Sequence, residues 1–184
     1  MKSSLFDRQL DFFKNPRRKK LARCSRRAGK THLAAAILLD AAVRFPGSLV
    51  PYVTLSMKNA RRILWTTLHQ MDVEFGFGLE FRANDLTATL SNGSQIILAG
   101  ATDYEEIQKL RGPKYGSVVL DEVQSMKTSV CRTLVADILE PATMDYDGTI
   151  CAFFTPSASA SGYAFEIDHE GQAWERFHWT MLDN

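Results

Sequence analysis

Three consecutive residues, Gly29, Lys30 and Thr31, are the part of this sequence best suited to chemistry. They end the segment CSRRAGKT, which begins at Cys24 and matches the phosphate-binding pattern GxxxxGK[ST] except that Cys24 replaces the first glycine. In such a loop the glycine lets backbone N–H groups approach phosphate oxygens, the lysine holds the β and γ phosphates, and the threonine hydroxyl binds Mg²⁺. The segment therefore predicts a site for ATP and Mg²⁺. The other loop positions expected to contact nucleotide are Ser25, Arg26, Arg27 and Ala28.

Two adjacent carboxylates, Asp121 and Glu122, follow the hydrophobic residues VVL and form the second chemical element. At the end of a strand, Asp121 can hold Mg²⁺ through its hydration shell, while Glu122 is placed to orient and deprotonate an attacking water. An Asp–Glu pair that merely ends a buried strand is the alternative. The combination of this pair with the phosphate loop favours ATP hydrolysis.

A hydroxyl residue, Thr155, ends a third apolar segment with the sequence FFTP. A polar residue at the tip of a strand beside the two nucleotide-binding strands can sense the γ-phosphate and transmit its loss, as in helicase-like ATPases. The alternative is a plain strand end capped by Pro156. Thr155 is therefore a candidate sensor.

Arg26 lies within the loop and can reach a γ-phosphate bound to its own subunit. Positive charge at that place stabilises the negative charge that spreads in the transition state of phosphoryl transfer. Arg27 is expected to point instead to solvent or to a structural partner. Arg26 is therefore the candidate for an arginine finger acting in cis.

Short apolar runs alternate with helical patterns along the chain and must position these residues. This alternation predicts an α/β fold of the P-loop NTPase type (RecA-like or ASCE-like), a mostly parallel sheet flanked by helices. Asn92-Gly93 separates two runs of period two, which predicts an antiparallel hairpin inserted around 86–98. Strands are predicted at 21–24, 51–57, 117–120 and 149–154, and helices at 31–44, 58–71, 104–110 and 127–139, the last ended by Pro141.

The composition indicates one soluble domain of 184 residues, with 45% hydrophobic and 23% charged residues, near the globular averages. The longest apolar run, 33–43, contains Asp40 and is shorter than the roughly 20 residues that a membrane helix needs. We therefore expect no membrane association. Three cysteines without CxxC spacing suit reduced thiols of a cytoplasmic protein better than disulfides or a zinc site.

A net charge of +1 conceals a basic run between 14 and 30, which would attract polyanions. Because the run leads into the phosphate loop, part of it is expected to face nucleotide and part DNA. Arg61 and Arg62, on the polar side of the 58–71 helix, are further candidates for DNA phosphates, although a solvated helix face explains them equally well. The run comprises Lys14, Arg17, Arg18, Lys19, Lys20, Arg23, Arg26, Arg27 and Lys30.

Over nearly its whole length the chain resembles the large subunits of viral terminases. In that family the loop runs as a small residue, Arg, Arg or Gln, any residue, Gly, Lys, then Ser or Thr, so the missing first glycine is expected. Gln9 resembles an adenine-contacting Q motif. Further points of resemblance are Phe6, Asn92-Gly93-Ser94, Leu110-Arg111-Gly112, and the closing segments 177–180 and 183–184.

The resemblance implies that residues 1–184 are an ATP-hydrolysing motor domain and that the nuclease domain of the family is absent from this chain. It further implies a homo-oligomeric ring when active, or a monomer in isolation, docked on a portal protein in the host cytoplasm. Its other partners would be a small terminase subunit and double-stranded DNA, gripped through sequence-independent phosphate contacts and driven into a procapsid.

In such a ring Arg111 is expected to act in trans, on the ATP of the neighbouring subunit. It precedes Gly112-Pro113 in the loop that leads into the strand before Asp121, where it is poorly placed to reach its own ATP. The alternative is an arginine that braces this loop by bonding to backbone carbonyls.

Three other functions have the same ATP signature. A helicase or translocase of another P-loop family normally needs a second motor domain, for which 184 residues leave no room. A small-molecule or nucleotide kinase would have no use for Glu122 as a water-activating base. A nucleotide-gated binding module would bind ATP without hydrolysing it.

Overall fold

Eight strands form one sheet at the centre of the computed structural model, which describes residues 4–156, 161–169 and 173–183. The strands are β1 (Lys19–Cys24), β2 (Leu49–Thr54), β3 (Glu80–Arg82), β4 (Thr87–Thr89), β5 (Gln95–Gly100), β6 (Val118–Leu120), β7 (Ile150–Phe154) and β8 (Glu175–Trp179). Their order across the sheet is β3-β4-β5-β2-β6-β7-β1-β8. The pairs β3–β4 and β4–β5 are antiparallel, and the other neighbours are parallel. The predicted α/β fold with an inserted hairpin is confirmed.

Helices cover both faces of the sheet. They are α1 (Asp7–Lys14), α2 (Lys30–Arg44), α3 (Met57–Ala60), α4 (Thr66–Phe75), α5 (Tyr104–Gln108), α6 (Thr128–Thr133), α7 (Glu140–Ala142) and α8 (Tyr163–His169). A π-helical turn, Arg61–Trp65, joins α3 to α4 without interruption, and a second one, Leu134–Leu139, joins α6 to α7. Within the described residues, no helix has the length and apolar character needed to cross a membrane.

The central strands are buried on both sides, as expected for parallel strands covered by helices. All five residues of β7 are buried, and they alternate between the two halves of the core. Phe153 packs into the half formed with α1, α2 and α4, whereas Ala152 and Phe154 pack into the half formed with α5, α6 and α8. This burial fixes the register of β7 and therefore the position of Thr155 directly after it.

Two predicted boundaries are wrong for local reasons. The strand predicted at 51–57 ends at Thr54, because the Ser56 side chain accepts a hydrogen bond from the Asn59 N–H at 3.3 Å and so caps a helix that begins at Met57. The helix predicted to end at Pro141 continues to Ala142. Strand β3, at the edge of the sheet, helix α1 and the segment that contains α8 and β8 were not predicted.

An arginine from another segment, Arg111, contacts the helix that contains Pro141. Asp137 lies in the second π-helical turn, four positions before Pro141, which has no N–H to donate to a carbonyl. Arg111 Nη1 instead donates to the Asp137 carbonyl at 3.3 Å, and its Nε donates to Gln108 Oε1 at 2.9 Å. Arg111 therefore ties the loop before β6 to the helix that contains Pro141.

The turn between β4 and β5 caps the C-terminal end of α2. Ser94 is fully buried and its hydroxyl donates to the Ala42 carbonyl at 2.6 Å, while Asn92 Nδ2 donates to the same carbonyl at 2.9 Å. The last carbonyls of a helix have no partner within the helix. The inserted hairpin therefore supplies hydrogen bonds that the end of α2 lacks.

We expect Ser94→Ala to lower the free energy of unfolding by about 1–3 kcal/mol, because a buried hydrogen bond to a helix carbonyl is lost. Ser91→Ala is the matched control, since Ser91 is exposed in the same turn and its side chain makes no hydrogen bond with the described residues. Urea unfolding of both variants measures the difference. Equal stability of the two variants would contradict the capping role of Ser94.

Candidate nucleotide-binding site

The carboxyl ends of β1, β6 and β7 meet at one edge of the sheet and open into a cavity of about 890 Å³. Strand β7 lies between the other two, so the residues that follow all three strands share this edge. The cavity is lined by 26–32 of the loop and of α2, by Asp121, Glu122, Gln124 and Ser125 after β6, and by Thr155 and Pro156 after β7. The sequence-predicted residues from Arg26 to Thr31, the carboxylate pair and Thr155 are thus brought together.

Lys30 lies at the centre of this arrangement. Its Nζ donates to the Ser25 carbonyl at 3.0 Å and to Thr155 Oγ1 at 2.9 Å. Gly29, just before α2, has a φ of 71°, a left-handed conformation that glycine adopts without strain. The ammonium group therefore joins the loop after β1 directly to the tip of β7, at the place where phosphate oxygens are expected.

Arg27 stores backbone strain in the loop. Its φ is 124°, and its N–H donates to the Ser25 carbonyl at 3.1 Å across a very tight turn. Conformations that side chains rarely adopt cost about 1–3 kcal/mol and concentrate at functional sites. Arg26 and Arg27 both line the cavity, and neither side chain makes a hydrogen bond or ion pair with a described residue. Both guanidinium groups therefore remain available to an anion.

The back of the loop is held by two distant side chains. The Ala28 carbonyl accepts hydrogen bonds from Trp179 Nε1 at 2.8 Å and from Gln9 Nε2 at 3.3 Å, and Gln9 Nε2 also donates to the Gly29 carbonyl at 3.1 Å. A Cβ added at Gly29 would lie 2.5 Å from Gln9 Nε2, so a larger residue there would displace the Gln9 amide that bonds to the loop.

The cavity lining does not include Gln9 or Ser25. Gln9 is buried behind the loop, and the Ser25 hydroxyl accepts a hydrogen bond from the Met181 N–H at 2.9 Å. The adenine contact expected of Gln9 stays a prediction. Trp179 was missed by sequence reasoning because it lies 151 positions from Ala28 and no local pattern relates the two.

Asp121 is buried and its carboxylate is held at both oxygens. Tyr52 of β2 donates its hydroxyl to Oδ2 at 2.6 Å, and the Glu122 N–H donates to Oδ1 at 2.8 Å. Burial raises the pKa of Asp121, an effect that the Tyr52 hydrogen bond and the Lys30 charge partly offset. Burial and the neighbouring Asp121 charge raise the pKa of Tyr52 in turn. Tyr52 therefore fixes the orientation of the proposed metal-binding carboxylate.

A hydrogen-bonded chain connects the two sides of the cavity. Gln124 Nε2 donates to Glu122 Oε2 at 2.5 Å, and Gln124 Oε1 accepts from the Thr155 N–H at 3.2 Å. Since Thr155 also bonds to Lys30, the chain runs from Lys30 through Thr155 and Gln124 to Glu122. Sequence reasoning missed Gln124, although its place two residues after Glu122 offered a signal.

The basic run is largely neutralised outside the cavity. Lys20 is buried, and its Nζ donates to the carbonyls of Phe12 and Asn15 at the end of α1. Four other cations of the run form ion pairs, which are Arg17–Glu175 at 3.9 Å, Arg18–Asp147 at 3.6 Å, Lys19–Glu140 at 2.9 Å and Arg23–Asp168 at 3.2 Å. Because these cations have partners within the domain, the run offers little free charge to DNA. Its remaining members are Lys14 and the three that line the cavity.

Cys24, at the place of the usual first glycine, is buried, and burial raises the pKa of its thiol to about 12. The group is therefore an uncharged thiol at neutral pH, and Cys24 does not line the cavity.

We expect Asp121→Asn to raise the melting temperature at neutral pH in the absence of Mg²⁺. Because burial raises the pKa of this carboxyl in the folded protein, its contribution to stability is greatest at low pH and is lost as the pH rises through the folded pKa. The asparagine variant does not titrate, so its advantage should shrink as the pH is lowered. Thermal unfolding in EDTA across this range measures it, and a lower melting temperature at neutral pH would contradict it.

No protein-family model and no curated protein matches the sequence, but solved structures do. The large terminase of a thermophilic bacteriophage, in complex with ADP, matches 98% of this chain with a TM-score of 0.80 at 22% identity. The large terminase ATPase domain of Thermus phage P74-26 matches 95% with a TM-score of 0.72 at 17% identity, and the HK97 bacteriophage large terminase matches 95% with 0.73 at 14%. This chain spans 46% of the ADP-bound terminase, 80% of the P74-26 domain and 39% of the HK97 chain. The protein therefore has the fold of the ATPase domain of phage large terminases.

Proposed function

We propose that this protein is an ATP-hydrolysing motor domain that drives double-stranded viral DNA into a procapsid. The observation that carries the proposal is the meeting of Lys30, Asp121 and Glu122 in one cavity. Support for the packaging role comes from the likeness to phage large terminases, one of them in complex with ADP and another with ATP-γ-S.

Nucleotide would bind with its phosphates against the loop. Lys30 and the other residues that begin α2 line this part of the cavity, and a helix N-terminus favours anions. Lys30 would exchange its bonds to Ser25 and Thr155 for phosphate oxygens. Arg26 and Arg27, which have no partner among the described residues, add charge at the rim of the cavity.

The cavity suits Mg²⁺, which prefers oxygen ligands. Thr31 and Asp121 both line it, and the Tyr52 hydrogen bond leaves further acceptor capacity on the Asp121 carboxylate. When bound, Mg²⁺ would neutralise charge on the β and γ phosphates. Thr31 and Asp121 would hold it.

Glu122 would act as the general base that orients water and takes its proton. Its carboxylate accepts a hydrogen bond from Gln124 Nε2. When Lys30 leaves Thr155 for a phosphate, the bonds that link Thr155, Gln124 and Glu122 would adjust together. Gln124 is thus proposed as the positioning residue that relates the occupancy of the phosphate site to the orientation of the base.

The partners proposed for this motor are double-stranded DNA, a portal protein and a small terminase subunit, with a ring of identical domains as the active form. A kinase and a non-hydrolysing module remain alternatives, and phosphate release without any small acceptor would exclude both. Stimulation of turnover by a portal protein would separate a packaging motor from a helicase.

We expect Glu122→Ala to retain binding of Mg·ATP but to lose hydrolysis, because the general base is gone while the phosphate site is intact. Lys30→Ala is the contrasting variant, and it should lose nucleotide affinity. Fluorescent-nucleotide titration and phosphate-release assays on the two variants separate the effects. Normal turnover by Glu122→Ala would exclude Glu122 as the base.

A second prediction distinguishes arginines that act in cis and in trans. Arg111 is exposed, bonded to Gln108 and Asp137, and not part of the cavity lining, so it would reach a phosphate only on a neighbouring subunit. Mixing inactive Arg111→Ala subunits with inactive Lys30→Ala subunits should therefore restore part of the ATPase activity under ring-forming conditions. An arginine finger can raise the rate by about 10³ to 10⁵.

Arg26→Ala supplies the control for this mixture. Arg26 lines its own cavity, so its loss should lower turnover far more than affinity and should not be rescued by Lys30→Ala subunits. If the Arg111→Ala mixture stays as inactive as its components while wild-type rings form, Arg111 is a structural brace of the loop and not a finger.

A further inference from the structure

Cations without partners concentrate on one helix of this protein. Most Lys and Arg side chains outside the nucleotide cavity form ion pairs or hydrogen bonds within the domain. Lys58, Arg61 and Arg62 are exposed, and their side chains make no hydrogen bond or ion pair with any residue in the described ranges. The others of this kind are dispersed, and they are Arg8, Lys14, Arg82 and Lys127.

The helix that carries these three charges runs without a break from Met57 to Phe75. It buries one side against the sheet, through Ala60, Leu64, Leu68 and Met71. The sequence from 56 to 71 contains no Asp or Glu, and the acidic residues of this helix, Asp72 and Glu74, lie at its C-terminal end, away from the three cations.

These charges do not stabilise the helix itself. Lys58 is the second residue of the helix, where a cation opposes the helix dipole. Lys58 is also three and four positions from Arg61 and Arg62, the spacings at which like charges repel. Charges that are unfavourable in the free domain, and that remain without partners, fit a surface whose partner is an external polyanion.

Neighbouring aromatic rings favour the phosphate backbone over unstacked bases as the target. His69 stacks on Phe81 with ring centroids 3.6 Å apart, and Trp65 meets both rings edge to face. Single-stranded nucleic acid is normally held by free aromatic faces on which bases stack. The rings here pack against each other and connect the helix to β3. The cations, and not the rings, are therefore the groups on this surface that suit a ligand.

The same helix contributes to the nucleotide cavity. Ile63, Thr67 and Gln70 line it, and the π-helical turn Arg61–Trp65 contains both Ile63 and two of the three cations, Arg61 and Arg62. π-helical turns occur often at functional sites. A ligand bound to the exposed side would therefore contact an element that also borders ATP.

We infer that the exposed side of this helix, formed by Lys58, Arg61 and Arg62, binds the phosphate backbone of double-stranded DNA. The inference rests on the proposed motor function and names the surface that the motor uses. It moves the DNA contact away from the basic run at 14–30, whose charges, apart from that of Lys14, are paired or face the nucleotide cavity.

The test is binding of a labelled mixed-sequence DNA duplex by the 184-residue chain, measured by fluorescence anisotropy over a range of salt concentrations. We expect the double variant Arg61→Ala/Arg62→Ala to lose affinity on the order of 10- to 100-fold at low salt and to lower the salt slope by about 1.8, since each phosphate contact contributes about 0.9. The loss should be the same for an unrelated DNA sequence, because phosphate contacts carry no sequence information.

Two further variants control for net charge and for folding. Lys14→Ala/Lys127→Ala removes the same number of exposed, unpaired cations elsewhere and should leave DNA binding nearly unchanged. Arg61→Lys/Arg62→Lys preserves the charge and should keep the salt slope of the wild type. A loss as large as that of the alanine variant, in the presence of this preserved charge, would overturn the proposal.

DNA binding by the wild type and by Arg61→Ala/Arg62→Ala distinguishes a wrong DNA-binding surface from a wrong motor function. If the wild type binds the duplex and Arg61→Ala/Arg62→Ala binds it with unchanged affinity and slope, this surface is wrong while the motor function stands. If the wild type hydrolyses ATP but does not bind duplex DNA even at low salt, both the surface and the DNA-translocating function are overturned.

Discussion

The arrangement of the phosphate loop depends on how its backward-facing carbonyls are satisfied. A loop that turns its N–H groups toward phosphate must turn carbonyls away from it, and buried carbonyls need donors. Gln9 and Trp179 donate to Ala28, and Gln9 also donates to Gly29. These donors lie on α1 and on β8, near opposite ends of the described chain. Residues near the two ends of the sequence therefore determine the shape of the phosphate loop. The strained backbone of Arg27 persists because the hydrogen bonds from Gln9 and Trp179 hold the residues that follow it.

The buried carboxylate of Asp121 and the cations of the basic run affect the stability of this domain in opposite ways. Asp121 is buried at a cost, as the raised pKa of its carboxyl indicates, and the Tyr52 hydroxyl and the Lys30 ammonium offset only part of that cost. This loss of stability is consistent with the proposed role of Asp121 in binding Mg²⁺, since functional sites often lower stability. Outside the nucleotide cavity, in contrast, most cations of the basic run bond to acidic side chains or to carbonyls. The run therefore contributes to the structure of the domain more than to its outward field.

Two long helices contain π-helical turns, and each turn contains or contacts an arginine with a proposed role in binding phosphate. The first contains Arg61 and Arg62. The second contains Asp137, whose carbonyl accepts a hydrogen bond from Arg111. That bond fixes Arg111 at the surface, away from its own cavity. A brace and a finger in trans are compatible, because a guanidinium has five N–H donors and the described contacts of Arg111 use two of them.

The sequence by itself determined the elements whose signals are local. The loop from Cys24 to Thr31, the pair Asp121 and Glu122, and the hairpin around Asn92 each lie within a few residues, so spacing alone predicted the fold class and most of the cavity. Tertiary structure alone decided the contacts of Gln9, Tyr52 and Trp179, the pairing of the basic run, and the continuation of the helix past Pro141. The hydrogen-bond partners of Gln9, Tyr52 and Trp179 lie from 19 to 151 positions away in the sequence, and which residues meet depends on strand order and burial. A hydrogen bond of this kind forms only after the sheet has brought its two ends together, and no pattern within either segment contains that information.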